Sequence, residues 1–406
     1  MARSRWYPFI LVGLLFGFWG LVGVNRLGIQ FLFPFIVKDF RLNLTQVSLL
    51  VSGTSATWAI SSWLSGWLSD RYGRRNVLVP GALFACVMTM AQGLAGSFLA
   101  LFVVRDLVGI GDGVGWPNGQ STLAEEVPPD RRALVAGIFT SGYPLFGSVI
   151  AGLIFAPLAL ALGWRWVFPI AGVFFLVVVL LLWLVMREPP RKERPERLDW
   201  RHAFGLVRDR RVLLLMLIQS GALGWLQVGV VVQVLFLQRV LHASPVLAGR
   251  VVAISTIGAI AGTLLLPALS DYVGRKPTIV VGALLSAVLL GVYVIGQFPI
   301  GIATALLTAN AFFEAAIIPL GSATYVVELV GEEHRATTMG GVNLVGVVIG
   351  TFLLPLLAGT VGDHFGLPNA YLIAVVCVAI AGLLALALPE TAPRVLSRRA
   401  GATATA

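Results

Sequence analysis

Apolar runs long enough to cross a lipid bilayer follow one another along nearly the whole chain. A membrane-spanning helix needs about 20 mostly apolar residues. Backbone polar groups inside lipid must bond within their own segment, and the alternating pattern of barrel strands is absent, so each run is predicted to be a helix. We expect twelve spans, at about 8–37, 47–69, 77–96, 99–122, 134–160, 167–186, 212–238, 247–270, 277–296, 299–328, 336–361 and 369–388.

The composition supports this prediction. The 406 residues are 58% hydrophobic and 12% charged. Soluble domains average about 45–50% apolar and about 25% charged residues. A water-soluble fold cannot bury such an excess of apolar side chains, because its surface must be wetted. The chain is therefore predicted to be an all-α, multi-pass membrane protein.

The basic residues are distributed unevenly between the two predicted sides of the membrane. With twelve spans both termini share one side, and about 22 Lys and Arg fall there. The other side has about five, namely Lys38, Arg41, Arg165, Arg239 and Arg250. The positive-inside rule then predicts that both termini are cytoplasmic. This asymmetry explains the net charge of +10 without nucleic-acid binding, and the short loops favour a bacterial inner membrane.

A polar stretch in the middle of the chain divides the spans six and six. Residues 187–211 open with REPPRKERPERLDW, whose prolines and mixed charges are typical of a linker. We therefore expect an N-terminal bundle at 1–186, a cytoplasmic linker at 187–211, a C-terminal bundle at 212–391 and a cytoplasmic tail at 392–406.

The two halves repeat one another. GWLSDRYGRR, which starts at Gly66, aligns with PALSDYVGRK, which starts at Pro267, at an offset of 201 residues. The fourth and tenth spans align at an offset of 202, which pairs Asp112 with Glu314, Pro117 with Pro319, Thr122 with Thr324 and Glu126 with Glu328. Such a parallel repeat predicts two pseudo-symmetric six-helix bundles.

Specific motifs accompany this repeat. The pattern Gly-x3-Asp-Arg-x-Gly-Arg-Arg is complete after the second span, at Gly66, Asp70, Arg71, Gly73, Arg74 and Arg75. The second copy keeps Asp271, Gly274, Arg275 and Lys276 but has Pro267 and Tyr272 in place of glycine and arginine. An Arg-x3-Gly-x-Gly pattern lies in the fourth span, and the fifth span is glycine-rich. In these motifs the chain resembles the major facilitator superfamily over essentially its whole length.

The resemblance implies the major facilitator fold, in which two bundles rock about a cavity near the bilayer midplane. The loop motif and its second copy would form a conformational gate, because an acidic residue can pair with basic residues and helix-end dipoles. A role in topology alone is the other interpretation of these charges. One chain contains both bundles, so we expect a monomer.

Ionisable residues inside the spans are costly, at about 2.5–3.5 kcal/mol each on insertion scales, and so point to function. They are Arg26, Arg105, Asp106, Asp112 and Glu314. Arg105 and Asp112 share a helix face about 10 Å apart along the axis, which leaves room for a ligand, water or Arg26 between them. Two arginines suit a carboxylate or phosphate. Arg105 could instead be a structural brace, and Asp112 a simple ion-pair partner.

These residues lead to a set of predicted roles. Arg26 and Arg105, with Gln227 and Asn343, are predicted to contact an anionic substrate, whereas Asp112 and Glu314 are predicted to carry protons. The amides could equally be hydrogen-bonding glue between helices.

Within the superfamily, Arg26, Arg105 and Asp112 make the chain similar to the anion:cation symporters. Asn25 departs from that branch, which has an acid there. The resemblance implies a secondary active transporter of a small organic anion, expected to be a carboxylate, by alternating access coupled to protons. A drug exporter, which would need Arg26 little, or a sugar facilitator, which could use Trp19, Trp116 and Trp225, are the alternatives.

Nothing in the sequence predicts an enzyme, a cofactor or a metal. Cys86 and Cys377 lie in apolar runs and are expected to be small core residues. The four histidines are scattered without ligand spacing, and we find no nucleophile elbow or phosphate-binding glycine loop. The expected partners are an anionic small molecule, protons and the lipid bilayer.

Overall fold

In the computed structural model, the described residues are 7–128, 131–188, 209–330 and 335–397. Their regular secondary structure is helical, and all twelve predicted spans are helices. Of the predicted linker, residues 189–208 lie outside the described part, as do residues 398–406 of the predicted tail.

We number the spans in chain order. Span 1 comprises Tyr7–Leu27, a 3₁₀ turn at Gly28–Phe31 and Phe33–Phe40; span 2 is Leu44–Tyr72; and span 3 is Arg74–Ala91 with a 3₁₀ turn at Gln92–Leu94. Span 4 comprises Phe98–Asp112 and Gly115–Glu126; span 5 comprises Arg132–Pro144, Leu145–Ile150 and Ala151–Leu162; and span 6 is Trp164–Val185. Span 7 is Arg210–Arg239, span 8 is Pro245–Val273 and span 9 is Arg275–Gly296. Span 10 comprises Ile300–Glu314, Ile317–Pro319, Leu320–Thr324 and Tyr325–Leu329; span 11 comprises Arg335–Gly346, Val347–Leu353 and Leu354–Phe365; and span 12 is Leu367–Ala385.

Ten helical runs in the described part of the chain are long and apolar enough to cross a membrane. Spans 2 and 4 are helical but more polar. Span 2 buries several hydroxyl side chains, including Ser48, Ser52 and Ser55, and span 4 buries Arg105 and Asp112. These two spans therefore concentrate the buried polar groups of the first half.

By compactness the chain divides into two units. Unit 1 contains Met1–Pro195 and Ser244–Ala253, and unit 2 contains Glu196–Ala243 and Ile254–Ala406. In unit 1, spans 1, 5 and 6 pack together, and spans 2 and 3 both pack on span 4. In unit 2, span 12 packs on spans 7 and 9, and span 9 packs on span 10.

Glycine allows backbones to approach closely between spans 1 and 5. A Cβ atom at Gly23 would overlap the carbonyl oxygen of Tyr143, and one at Gly147 would overlap the carbonyl oxygen of Gly23. Unit 2 has a similar contact between spans 7 and 11, where a Cβ at Gly350 would lie 2.6 Å from the carbonyl oxygen of Ser220. Small residues hold membrane helices together in this way, because van der Waals packing is the main attraction between helices in lipid.

Segments of π-helix occur in spans 5, 10 and 11. Those in spans 5 and 11, Leu145–Ile150 and Val347–Leu353, occupy equivalent positions of the repeat. The π-segment Leu320–Thr324 of span 10 has no counterpart in span 4, which is α-helical over Gly115–Glu126. A π-bulge adds one residue to a helix. The offset between spans 4 and 10 should therefore rise from 202 to 203 beyond this segment.

The arginine contacts of the two loop motifs agree with that change of register. Arg74 binds Glu125 in span 4, whereas Arg275 binds Glu328 in span 10. Glu125 and Glu328 differ by 203 residues. The sequence alignment of Glu126 with Glu328 is therefore corrected: Glu125 is the structural equivalent of Glu328.

Candidate functional site

Span 1 changes its helical geometry beside two polar side chains. Its α-helix ends at Leu27 and continues as the 3₁₀ turn Gly28–Phe31, so Asn25 and Arg26 lie in the last α-helical turn. The Asn25 side chain is buried, whereas Arg26 is partly exposed.

Arg26 is held by neutral groups of span 2. One terminal nitrogen donates a hydrogen bond to Ser55 Oγ at 2.9 Å. Its guanidinium carbon lies 4.6 Å from the ring centre of Trp58, which is a cation–π contact. Among the described residues, no carboxylate lies within ion-pair distance of Arg26. The arginine is thus oriented by protein contacts, and its charge is not neutralised by a protein carboxylate in contact with it.

Asp112 is the last residue of the first helix of span 4 and is 1% exposed. Asn25 Nδ2 donates a hydrogen bond to Asp112 Oδ1 at 3.1 Å. The Thr89 hydroxyl lies 3.0 Å from Asn25 Oδ1 and 2.7 Å from the Ala85 carbonyl oxygen, so it shares its one proton between these two acceptors. Asp112 Oδ2 has no hydrogen-bond partner within the described part of the chain. A chain of hydrogen bonds therefore links spans 3, 1 and 4 and ends at a half-satisfied carboxyl group.

Arg105 is 1% exposed and uses all three guanidinium nitrogens to bind protein atoms. Nε donates to the carbonyl oxygen of Leu50 at 3.1 Å, and one terminal nitrogen donates to Gln92 Oε1 at 3.1 Å. The other terminal nitrogen donates to the carbonyl oxygen of Asn25 at 3.3 Å. Arg105 thus joins span 4 to spans 1, 2 and 3. These contacts agree with the interpretation of Arg105 as a brace.

Arg105 and Asp112, which are predicted to share a helix face, both contact Asn25. Asn25 accepts from Arg105 with its backbone carbonyl and donates to Asp112 with its side chain. The gap that the spacing left open between the two charges is thus filled by Asn25. In the sequence Asn25 is notable only as a departure from a related branch, and Thr89 and Gln92 give no signal because they are ordinary polar residues in an apolar run.

Glu314 belongs to unit 2 and is 2% exposed. It is the last residue of the helix Ile300–Glu314, just as Asp112 ends the first helix of span 4. Its Oε1 atom has no hydrogen-bond partner among the described residues, and no described Lys or Arg lies within ion-pair distance. The two repeat-related carboxyl groups therefore occupy the same place in their spans but have different surroundings.

The two amides predicted to contact substrate also belong to unit 2. Gln227 is buried in span 7. Asn343 is exposed in span 11, and its Nδ2 donates to the Met339 carbonyl oxygen of its own helix. Their assignment to a substrate site stays a prediction.

The loop motif forms a network within unit 1. Gly73 has a φ of +99°, a conformation that favours glycine, and span 3 begins directly after it. The Arg74 and Arg75 backbone N–H groups donate to the two carboxylate oxygens of Glu188 at 2.7 and 3.0 Å. The Arg74 side chain makes a forked contact with Glu125 at 2.9–3.1 Å and lies 3.7 Å from Asp70. The motif thus ties span 3 to spans 2 and 4 and to the end of span 6.

The second copy builds the same network in unit 2. Gly274 has a φ of +118° before span 9. The Arg275 and Lys276 N–H groups donate to Glu390 at 2.8 and 3.3 Å, and the Arg275 side chain binds Asp271 and Glu328. Sequence reasoning missed both capping carboxylates. The signal was available, because Glu188 and Glu390 each follow the last span of a half, 202 residues apart. The gating role of the motif stays a prediction.

Comparison with known proteins identifies the family. The model of the Major Facilitator Superfamily matches residues 9–237 and 220–405. The chain belongs to this superfamily. The predicted family and twelve-span fold are thereby confirmed, and the relatives are membrane transporters rather than enzymes.

Several curated relatives are named as transporters of organic acids. A probable 4-methylmuconolactone transporter of Cupriavidus pinatubonensis is 27% identical over 92% of this chain and 88% of its own length. A cis,cis-muconate transport protein of Acinetobacter baylyi is 27% identical over 86% of both chains. A 4-hydroxybenzoate transporter of Pseudomonas putida is 28% identical over 45% of this chain and 41% of its own.

A solved structure agrees with the fold. A bacterial homologue of the lysosomal transporter Spinster has a TM-score of 0.80 at 22% sequence identity, covering 95% of this chain and 97% of that one.

Proposed function

We propose that the chain is a secondary active transporter that moves a small organic anion, a carboxylate, by alternating access coupled to protons. Arg26 is the anion receptor, Asp112 carries the coupled proton, and Arg105 positions both through Asn25. Glu314 is a second proton site in the other half. The protein would work as a monomer in a bacterial inner membrane with both termini in the cytoplasm.

The observation that carries the proposal is the contact set of Arg26. A charged arginine at membrane depth normally pairs with an acid or faces a water-filled cavity. Arg26 is partly exposed and is oriented by Ser55 and Trp58, which are both neutral. A carboxylate ligand would supply the missing negative charge through charge-assisted hydrogen bonds.

Asp112 supports proton coupling because one of its oxygens accepts from Asn25 and the other is unsatisfied among the described residues. A buried, half-satisfied carboxyl can gain a proton without breaking an ion pair in contact with it. Its connection to Arg26 is short, since Asn25 and Arg26 are adjacent in span 1. Proton binding at Asp112 and anion binding at Arg26 can therefore influence each other through one helical turn.

The relatives support the substrate class. Transporters named for cis,cis-muconate and 4-hydroxybenzoate are both similar to this chain, and each of these compounds is a carboxylate. They differ in size and in hydroxyl content, so the shared chemical group is the anionic one.

The decisive experiment is uptake of labelled carboxylates into proteoliposomes with an imposed pH gradient. We expect the inward proton gradient to drive accumulation in the wild type. Arg26→Gln should abolish uptake, because the amide cannot replace the charge. Asp112→Asn should lose accumulation but keep exchange of labelled for unlabelled substrate, since exchange needs no net proton movement. Asp112→Glu should restore part of the accumulation.

Folding is controlled by size-exclusion profile and thermal unfolding of each variant. Full uptake by folded Arg26→Gln would remove the anion site from the proposal. Proton-driven accumulation by Asp112→Asn at the wild-type level would remove Asp112 as the proton carrier.

A further inference from the structure

Four aromatic rings gather on spans 1, 4 and 5 of unit 1. The Trp19 ring stacks on Phe139 with centroids 5.5 Å apart, and it lies 5.4 Å from Tyr143 and 5.2 Å from Trp116. Trp116 and Phe139 are 6.1 Å apart. We call Trp19, Trp116, Phe139 and Tyr143 the aromatic wall.

The rings of the wall differ in exposure. Trp19 is 6% exposed and Phe139 is fully buried, so these two rings form its base. Trp116 is 38% exposed. Gly115 gives Trp116 its place, because a Cβ atom there would lie only 3.0 Å from the Phe18 ring and 3.4 Å from the Trp19 ring. An indole fixed from below by other rings presents a rigid, apolar surface at little cost in side-chain entropy.

The wall shares its helices with the anion site. Trp19 precedes Arg26 by seven residues, which is two helical turns or about 10 Å on the same face of span 1. Trp116 follows Asp112 by four residues. Tyr143 contacts span 1 at Gly23, three residues before Arg26. Arg26 and the Trp19 base of the wall are thus about 10 Å apart along span 1, which is about the length of a small molecule.

We infer that the substrate of this transporter is a carboxylate with a flat, unsaturated or aromatic body, and that Trp116 is the residue that selects it. The carboxylate binds Arg26, and the flat body stacks on the exposed indole of Trp116. This inference rests on the proposed function and refines its substrate class.

The chemistry of the wall opposes the alternative of a sugar acid. A hydroxyl-rich substrate requires a hydrogen-bonding partner for each hydroxyl that it buries, because an unpaired buried polar group is costly. The wall offers ring faces, with only the Tyr143 hydroxyl and two indole N–H groups as polar atoms. A flat apolar body satisfies such a surface through offset stacking.

The test measures how four acids raise the thermal stability of the purified full-length protein, which gives an apparent Kd for each. Benzoate and cinnamate are flat, cyclohexanecarboxylate has the size and charge of benzoate without its flatness, and glucuronate is rich in hydroxyls. For the wild type we expect the flat acids to bind more tightly than cyclohexanecarboxylate and glucuronate. Trp116→Ala should weaken benzoate binding about two- to tenfold and abolish this preference. Trp116→Phe should keep most of it.

Trp166→Ala is the matched control, because Trp166 is an indole that is 61% exposed and lies at the start of span 6, outside the wall. It should bind all four acids like the wild type. Tighter binding of glucuronate or cyclohexanecarboxylate than of benzoate by the wild type would overturn the inference but leave the proposed function standing. An unchanged preference in folded Trp116→Ala would do the same. If no acid binds the wild type, or if Arg26→Gln binds them all normally, the proposed function fails and the inference fails with it.

Discussion

Arg105→Lys separates a bracing role from a substrate-binding role, because it keeps the positive charge and removes the guanidinium group with its several N–H donors. Arg105 donates from three nitrogens to acceptors on three spans. A lysine ammonium is a compact group that can reach one of these acceptors at a time. At least two hydrogen bonds from a charged donor are lost, each worth about 1.5–3 kcal/mol. We therefore expect the free energy of unfolding to fall by about 3 kcal/mol or more.

For a bundle of roughly 200 residues, this loss lowers the Tm by about 6–12 °C, taking about 2–4 °C per kcal/mol. The assay is thermal unfolding of the purified protein in detergent, without substrate. Arg165→Lys is the control, since the side chains of Arg165 and Asp39, which form an ion pair, are both about 40% exposed. Such pairs contribute about 0–1 kcal/mol, so its Tm should move by only a few degrees.

The opposite pattern would refute this account of Arg105. If Arg105→Lys unfolds at the wild-type temperature but binds carboxylates much more weakly, Arg105 contacts the substrate directly and the buried hydrogen bonds contribute little. The structure argues against that result, because the guanidinium is 1% exposed.

Two further predictions concern packing and helix capping. Gly23→Ala should lower the free energy of unfolding by about 1–3 kcal/mol, because its methyl group would overlap the Tyr143 carbonyl oxygen. Gly13→Ala is the control and should unfold like the wild type, because a methyl group there meets open space. Equal melting temperatures for the two variants would contradict the close contact at Gly23. Glu390→Gln should cost about 1–2 kcal/mol, since it removes a charge that accepts two N–H groups at the start of span 9. Glu188→Gln should cost less in thermal unfolding, because Glu188 is the more exposed of the two caps, and the reverse order would contradict this ranking.

The spans could be predicted from sequence because the length of an apolar run is fixed by bilayer thickness. Local departures from regular helix could not be predicted in the same way. Neither the break between Asp112 and Gly115 nor the π-segment Leu320–Thr324 interrupts the apolar run in which it lies, so neither is visible in the sequence. The consequence was a one-residue error in the alignment of Glu328, since a single offset cannot describe two helices when one of them has an extra residue.

The candidate site was only partly predictable for a different reason. Charges inside a span are visible in the sequence, and they mark Arg26, Arg105 and Asp112 as candidates. Their partners are carbonyl oxygens and neutral side chains, such as Leu50 and Asn25, and these carry no signal in a single sequence. The sequence could therefore indicate the ionisable candidates, but not that protein atoms satisfy Arg105 while no described carboxylate contacts Arg26.

The repeat itself explains why Asp112 and Glu314 should not be given identical roles. Both end the first helix of their span, so the repeat preserves where the carboxyl group lies. In unit 1 the carboxyl accepts from Asn25, and two arginines lie on the same helices. In unit 2 no described basic residue pairs with Glu314. Among the described residues, a proposed substrate anion would therefore find arginines on the helices that contact Asp112 but no ion-pairing base at Glu314, and opposite charges must be close to offset the cost of leaving water. For this reason we place the proposed coupling of anion binding to proton binding in unit 1.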